Sequence, residues 1–230
     1  MARPPDPRAR KRIVEAATRL FAERGFAGTT TRAIAAEVGA NIATVHHHVG
    51  SKFDLFAAVL QALYEEESAI LGERVAPIIK GPVKDREEVA DVLVDVADAM
   101  IDLMAARPER PRLYLRRWLD PVDELRDLEV KFSLDAHALL RKLLERAKEG
   151  GAIDAAFPVE MFLRSFTWII YGYFATGPID WKKWFSDPSN PRYLADLRKL
   201  VTRYVRQSLA AEWSEPKVAK SRTGEKKRAR

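Results

Sequence analysis

Val38-Gly39-Ala40-Asn41-Ile42-Ala43-Thr44-Val45-His46-His47-His48-Val49-Gly50-Ser51-Lys52-Phe53-Asp54 is the stretch that decides how the chain is read. Gly39 stops one helix, Asn41 can cap the next, and Gly50 ends that helix after two turns. Ser51 and Asp54 then open a further helix near Lys52 with a capping-box-like arrangement, aspartate standing where glutamate or glutamine is usual. Upstream, Ile13, Ala17, Leu20 and Phe21 recur at helical spacing. Gly25 permits the left-handed turn that stops this first helix, with Phe26 positioned to pack back on Phe21. Thr29-Thr30-Thr31 supplies a hydroxyl cap for a helix over Arg32 to Val38. Downstream, Leu55, Phe56, Val59, Leu60 and Leu63 form one apolar helical face.

Two short helices joined by a three-residue glycine turn, with a helix bracing each side, predict a helix-turn-helix. The second must be short, because it enters a DNA groove about 12 Å wide end-first. Ala35 and Ala36 are small enough to let it approach the first closely.

The remaining chain reads as helix over roughly 85–106, 110–118, 121–148, 158–176 and 190–210, punctuated by Gly81-Pro82, Pro108, Pro111, Pro121, Gly150-Gly151, Gly177-Pro178 and Pro188 to Pro191. No run of alternating residues predicts a strand, so the expected class is all-α. The expected organisation is a disordered arm over 1–7, a DNA-binding domain over 8–56, a helical ligand-binding and dimerisation domain over 57–212, and a disordered basic tail over 213–230. The net charge of +6 is uneven: residues 1–56 hold nine Lys/Arg against five Asp/Glu, residues 57–213 hold 23 against 26, and the tail seven against two. A basic head on an acidic body suits a polyanionic partner.

Several classes are excluded. The chain has no cysteine, hence no disulfide scaffold, thiolate metal site or cysteine nucleophile. It contains no P-loop, no G-x-S-x-G and no H-E-x-x-H, so no enzyme chemistry and no cofactor are implied. No apolar run approaches the ~20 residues of a membrane span, and the basic, proline-containing start lacks the apolar stretch of a signal peptide, which predicts a cytoplasmic protein. Consecutive helical side chains point ~100° apart, so His46, His47 and His48 cannot converge on one ion. Phosphate contact or a solvated ring is expected of His46 and His48, and packing or exposure of His47. His137, alone in its helix, reads as satisfied or exposed rather than ligand-binding.

Phe21-Ala22-Glu23-Arg24-Gly25-Phe26, Thr29-Thr30-Thr31-Arg32-Ala33-Ile34-Ala35 and the run from Val38 through Asp54-Leu55-Phe56 together resemble, in register over about 45 residues, the DNA-binding domain of the tetracycline-repressor (TetR) family. The resemblance implies that Thr30, Thr31, His48 and Lys52 touch phosphates. It implies that Arg32 and the start of the second helix (Ile42, Ala43 and Thr44, capped by Asn41) face base edges of double-stranded operator DNA. The chemistry agrees, since hydroxyls, a helix N-terminus and a lysine suit phosphate, and arginine is the commonest reader of guanine. Two residues depart from the pattern. His46 stands where a phosphate-touching tyrosine is usual. Ile42 stands where a polar or small residue is usual, and either packs on a thymine methyl or joins Val45 and Val49 in the core.

The resemblance further implies a ligand-responsive regulator, a repressor released by a small-molecule effector, acting as a homodimer on a pseudo-palindrome. Residues 160–176 are apolar over much of the circumference, which suits burial against both their own bundle and a partner chain. They and the amphipathic residues 190–210 are the expected interface. The candidate pocket lining is Met100, Leu103, Met104, Tyr114, Trp118, Phe132, Met161, Phe166 and Tyr171, side chains able to surround an apolar or aromatic effector. The helix from Lys52 is expected to carry the signal, as the only continuous element leaving the head.

Overall fold

A computed structural model describes the backbone of residues 7–119, 122–180 and 184–213, and their side chains except at 118, 128, 129, 131–136, 180, 184 and 185. Of the expected arm and tail, residues 1–6 and 214–230 lie outside the described residues.

The helices are α1 (Pro7–Gly28), α2 (Thr31–Glu37), α3 (Ile42–Val49), α4 (Lys52–Val75), α5 (Arg86–Ala106), α6 (Glu109–Leu119), α7 (Arg126–Glu149), α8 (Val159–Thr176) and α9 (Pro191–Ala210). Single 3-10 turns precede α5 (Ile78–Lys80) and α7 (Asp123–Leu125). The fold class is all-α, with two departures from the expected elements. A two-residue antiparallel pair, β1 (Ile179–Asp180) with β2 (Trp184–Phe185), sits between α8 and α9. Trp213, assigned from sequence to the tail, belongs to the body: its ring packs on Phe157, and its amide donates to Asp154 Oδ2 at 2.9 Å. An isolated aromatic among polar residues carries no period, so only its partners reveal it.

The local signals around the turn act as expected. Gly25 adopts φ 72° and kinks α1, although the chain then makes one more helical turn to Gly28. Phe26 stacks on Phe21, ring centroids 6.0 Å apart, and both rings meet Phe56. Thr30 rather than Thr31 caps α2, accepting from the Ala33 amide, so α2 starts one residue before the expected Arg32. Asn41 Oδ1 accepts from the Thr44 amide at 2.7 Å, and Ser51 with Asp54 forms the complete capping box of α4. Donation from the Ser51 amide, and then from its hydroxyl, holds the Asp54 carboxyl below the usual carboxylate range.

Two apolar cores share α4. The first gathers Phe21, Ile34, Val45, Leu55 and Leu60 from α1–α4 and is completed by Leu113 of α6 and Leu125. The second gathers Leu71 and Val75 of α4 with α5, α7, α8 and α9. Tyr114 of α6 packs against both. The head therefore folds against the body rather than beside it. At the far side, α9 is keyed to α5 by Arg198 with Asp98 and Asp102, and by Arg206 with Glu87 and Asp91.

Candidate nucleic-acid interface and effector cavity

The buried residues of α3 are Val45 and Val49, which dock it on the first core. Ile42 does not join them. It is 38% exposed at the tip of α3, which removes the core alternative for this residue. Thr30, Arg32, Asn41, Ala43, His46 and His47 are also exposed, while Thr31, Thr44, His48 and Lys52 are half-buried. These side chains lie at the starts of α2 and α3, along α3 and at the start of α4.

Two of the predicted contacts are already engaged. Lys52 lies with its Nζ 4.2 Å from the Phe26 ring centroid and donates to Phe26 O at 3.0 Å, so its ammonium also ties α4 to the end of α1. His46 Nδ1 lies 2.8 Å from Gly50 O. Thr29, by contrast, is buried and structural, its hydroxyl placed on Gly25 O at 2.8 Å.

In the body, a small cavity of about 40 Å³ lies between α4, α5, α6, α7 and α8. Four predicted residues line it: Met100, Tyr114, Phe166 and Tyr171. Met104 is fully buried in the second core with Leu103 against it, and neither reaches this cavity. Met161 is 62% exposed and does not line it. On a helix apolar nearly all round, composition cannot say which stripe faces inward. Trp118 and Phe132 belong to α6 and α7, but their side chains lie outside the described residues.

Sequence reasoning missed the polar part of this site. Glu67, buried on α4, accepts from the Tyr171 hydroxyl at 2.6 Å and from Arg110 Nη2 at 3.1 Å. Arg110 also binds Glu66 at 2.6 Å and Leu63 O at 2.7 Å. Arg117 donates to the Tyr64 hydroxyl and lies 4.3 Å from the Tyr114 ring centroid, while Tyr114 and Tyr171 are 4.4 Å apart. Burial, followed by neighbouring groups that include Glu67, pushes both the Tyr114 and Tyr171 phenols well above their ordinary range, so both stay neutral. His137, discounted from sequence, lines the same cavity with its Nε2 3.2 Å from Thr167 Oγ1.

A second connection between head and body accompanies the chain itself. Arg116 of α6 donates from Nε to Ala22 O at 2.8 Å and from Nη2 to Glu23 O at 2.6 Å, near the kink of α1. The helix from Lys52 is thus not alone in linking the cavity to the head, because α6 carries Tyr114 at one and Arg116 at the other.

A capped two-turn helix on a three-helix core, its outer side free and its scaffold joined to a helical body, defines a helix-turn-helix DNA-binding protein. Residues 13–59 match the family described as bacterial regulatory proteins, tetR family. The chain is 32% identical over 152 residues to the HTH-type transcriptional repressor AcnR of Corynebacterium diphtheriae, covering 63% of this chain and 68% of that protein. It is also 32% identical over 103 residues to the dual regulator CecR of Shigella flexneri, covering 42% of this chain but only 44% of CecR. Among solved structures, PfmR from Thermus thermophilus shares the fold at a TM-score of 0.64 and 20% identity, over 85% of this chain and 97% of that one. FadR from Bacillus subtilis, solved with stearoyl-CoA, does so at 0.59 and 18%, over 84% and 97%. The chain belongs to the TetR family of bacterial transcription regulators and is not an enzyme. Among the described residues, no helix is long and apolar enough to cross a membrane.

Proposed function

We propose that the protein is a cytoplasmic repressor that binds a pseudo-palindromic operator as a homodimer and leaves it when a small apolar or aromatic effector enters the body. The observation that carries this reading is the buried Glu67–Tyr171–Arg110 cluster on the cavity wall, because it ties the cavity to both elements that hold the head. A cavity of about 40 Å³ is far below the 300–1,000 Å³ of drug-sized sites. An effector larger than this cavity must push Tyr114 and Tyr171 apart, straining the contact of α6 with α8 and the hydrogen bond from Tyr171 to Glu67 of α4. It can shift the head spacing only by its differential affinity for the two arrangements. The stearoyl-CoA bound by the Bacillus subtilis FadR supports an effector with a long apolar part. Trp168 and Met161 on α8 and Leu200 on α9 are exposed apolar side chains, as a shared four-helix interface would require. Sequencing the DNA fragments that bind the purified protein tests the reading: one enriched inverted repeat supports it, and uniform coating of all fragments refutes it.

Two variants separate base reading from phosphate contact. Arg32 is exposed at the start of α2. Its replacement by alanine is expected to cost roughly 1–3 kcal/mol of operator binding and to relax preference at one position of each half-site. An equal loss on every sequence would make it a phosphate contact. Lys52→Ala is expected to weaken all sequences alike and to lower the salt slope by about one per half-site. An unchanged slope would assign Lys52 wholly to Phe26.

A further inference from the structure

His46 and His48 differ in which ring nitrogen can carry the proton, and the difference bears on how this protein meets DNA. Gly50 O can only accept, so His46 Nδ1, 2.8 Å away, must donate. In the neutral ring the other nitrogen, Nε2, is then a bare lone pair. His48 is the opposite case. Its Nδ1 is buried with no hydrogen-bond partner among the described residues. A proton there would be an unmatched buried donor, so the neutral ring keeps its proton on Nε2.

The placement of the two rings follows from the helix. With ~100° between successive residues, the buried Val45 and Val49 put His47 on the opposite side of α3, with His46 and His48 on its two flanks. A helix seated in the major groove turns its outermost side to the base edges and its flanks to the two phosphate walls. His48 can donate to a phosphate oxygen as a neutral ring. A neutral His46 cannot, because its free nitrogen and the phosphate oxygen are both acceptors.

We propose that His46 is a proton-coupled phosphate contact, taking up one proton per protomer as the recognition helix seats on DNA. This rests on the reading of the chain as an operator-binding dimer. Charged and titratable groups on α1, α2 and α4, the elements packed against α3, include Arg19, Glu23, Arg24, Arg32, Glu37, Lys52 and Asp54, beside His47 and His48 of α3 itself. Four of them have partners within the protein: Glu37 with Arg19, Asp54 with Ser51 and Lys52 with Phe26 O. A DNA phosphate against Nε2 is the anion that favours the imidazolium on binding. Because binding takes up protons, affinity rises as pH falls.

The test is proton uptake on binding a DNA fragment selected by the protein itself, measured calorimetrically at pH 7.5 in two buffers of different ionisation enthalpy. Wild-type dimer is expected to take up about two protons and to bind roughly 100–1,000-fold more tightly at pH 6 than at pH 8. His46→Tyr, which supplies a hydroxyl donor at any pH, is expected to bind at pH 8 at least as well as wild type and to lose that uptake. His48→Gln is expected to weaken binding without removing it. Wild-type binding without proton uptake, or uptake unchanged in His46→Tyr, overturns the proposal while leaving operator binding intact. If no fragment is selected at either pH, it is the operator-binding reading that fails.

Discussion

Arg110→Ala is expected to destabilise the protein by about 3–5 kcal/mol, the cost of stranding a buried charge. The Arg110 side chain is 4% exposed and Glu67 is 8% exposed, so removing the guanidinium leaves the Glu67 carboxylate in the interior with the Tyr171 hydroxyl. The pair with Glu66 contributes little of this, because Glu66 is 46% exposed and water screens it. Urea denaturation should show a lower midpoint at an unchanged slope. Removing the stranded charge as well should return part of the loss, so Arg110→Met combined with Glu67→Gln is expected to be more stable than Arg110→Met alone. A loss below about 1 kcal/mol for Arg110→Ala would show that water reaches Glu67 and that the cluster is not a rigid joint.

Gly150→Ala is the other substitution with a large expected effect, and its neighbour provides the control. Gly150 has an ordinary helical φ of −78°, but a Cβ there would lie 1.9 Å from Val83 O. The obstacle is backbone, and Val83 is itself buried at 1% exposure, so the segment cannot retreat without pulling its side chain out of the core. We expect a loss of about 3 kcal/mol, the upper part of the range for overpacked sites. At Gly151 nothing lies within 4 Å of the added carbon, but φ is 73°. Gly151→Ala should therefore cost only the left-handed backbone penalty of about 1–2 kcal/mol. Thermal unfolding of the two variants side by side checks both numbers. Equal losses would mean that α7 and the Val83 segment separate easily.

The helix-turn-helix was legible because every signal that builds it acts within a few residues. A glycine at positive φ, a side-chain oxygen on the third amide of a helix, and an apolar residue every third or fourth position are local chemistry. They place Thr30, Asn41, Val45, Gly50, Ser51 and Asp54 without reference to the rest of the molecule. The TetR-family membership rests on the same stretch, supported by the longer alignment with AcnR.

The cavity in the body was only half legible. Met100, Tyr114, Phe166 and Tyr171 line it as their composition suggested, but Met161, equally apolar, faces outward. Glu67 sits in the run Glu65-Glu66-Glu67, which reads as a solvated helix face, and only Glu67 is buried. Its partners Arg110 and Tyr171 come from 43 and 104 residues away. The sequence by itself determined which segments are helices, where they are capped and which short helix can enter a groove, because turn, cap and period energies are set by neighbours along the chain. Only the tertiary structure decided which stripe of α8 faces inward, that α6 grips α1 beside α4, and which carboxylate is buried. Those choices depend on the packing of distant helices, where desolvating a charge is tolerated only if the fold brings it a partner.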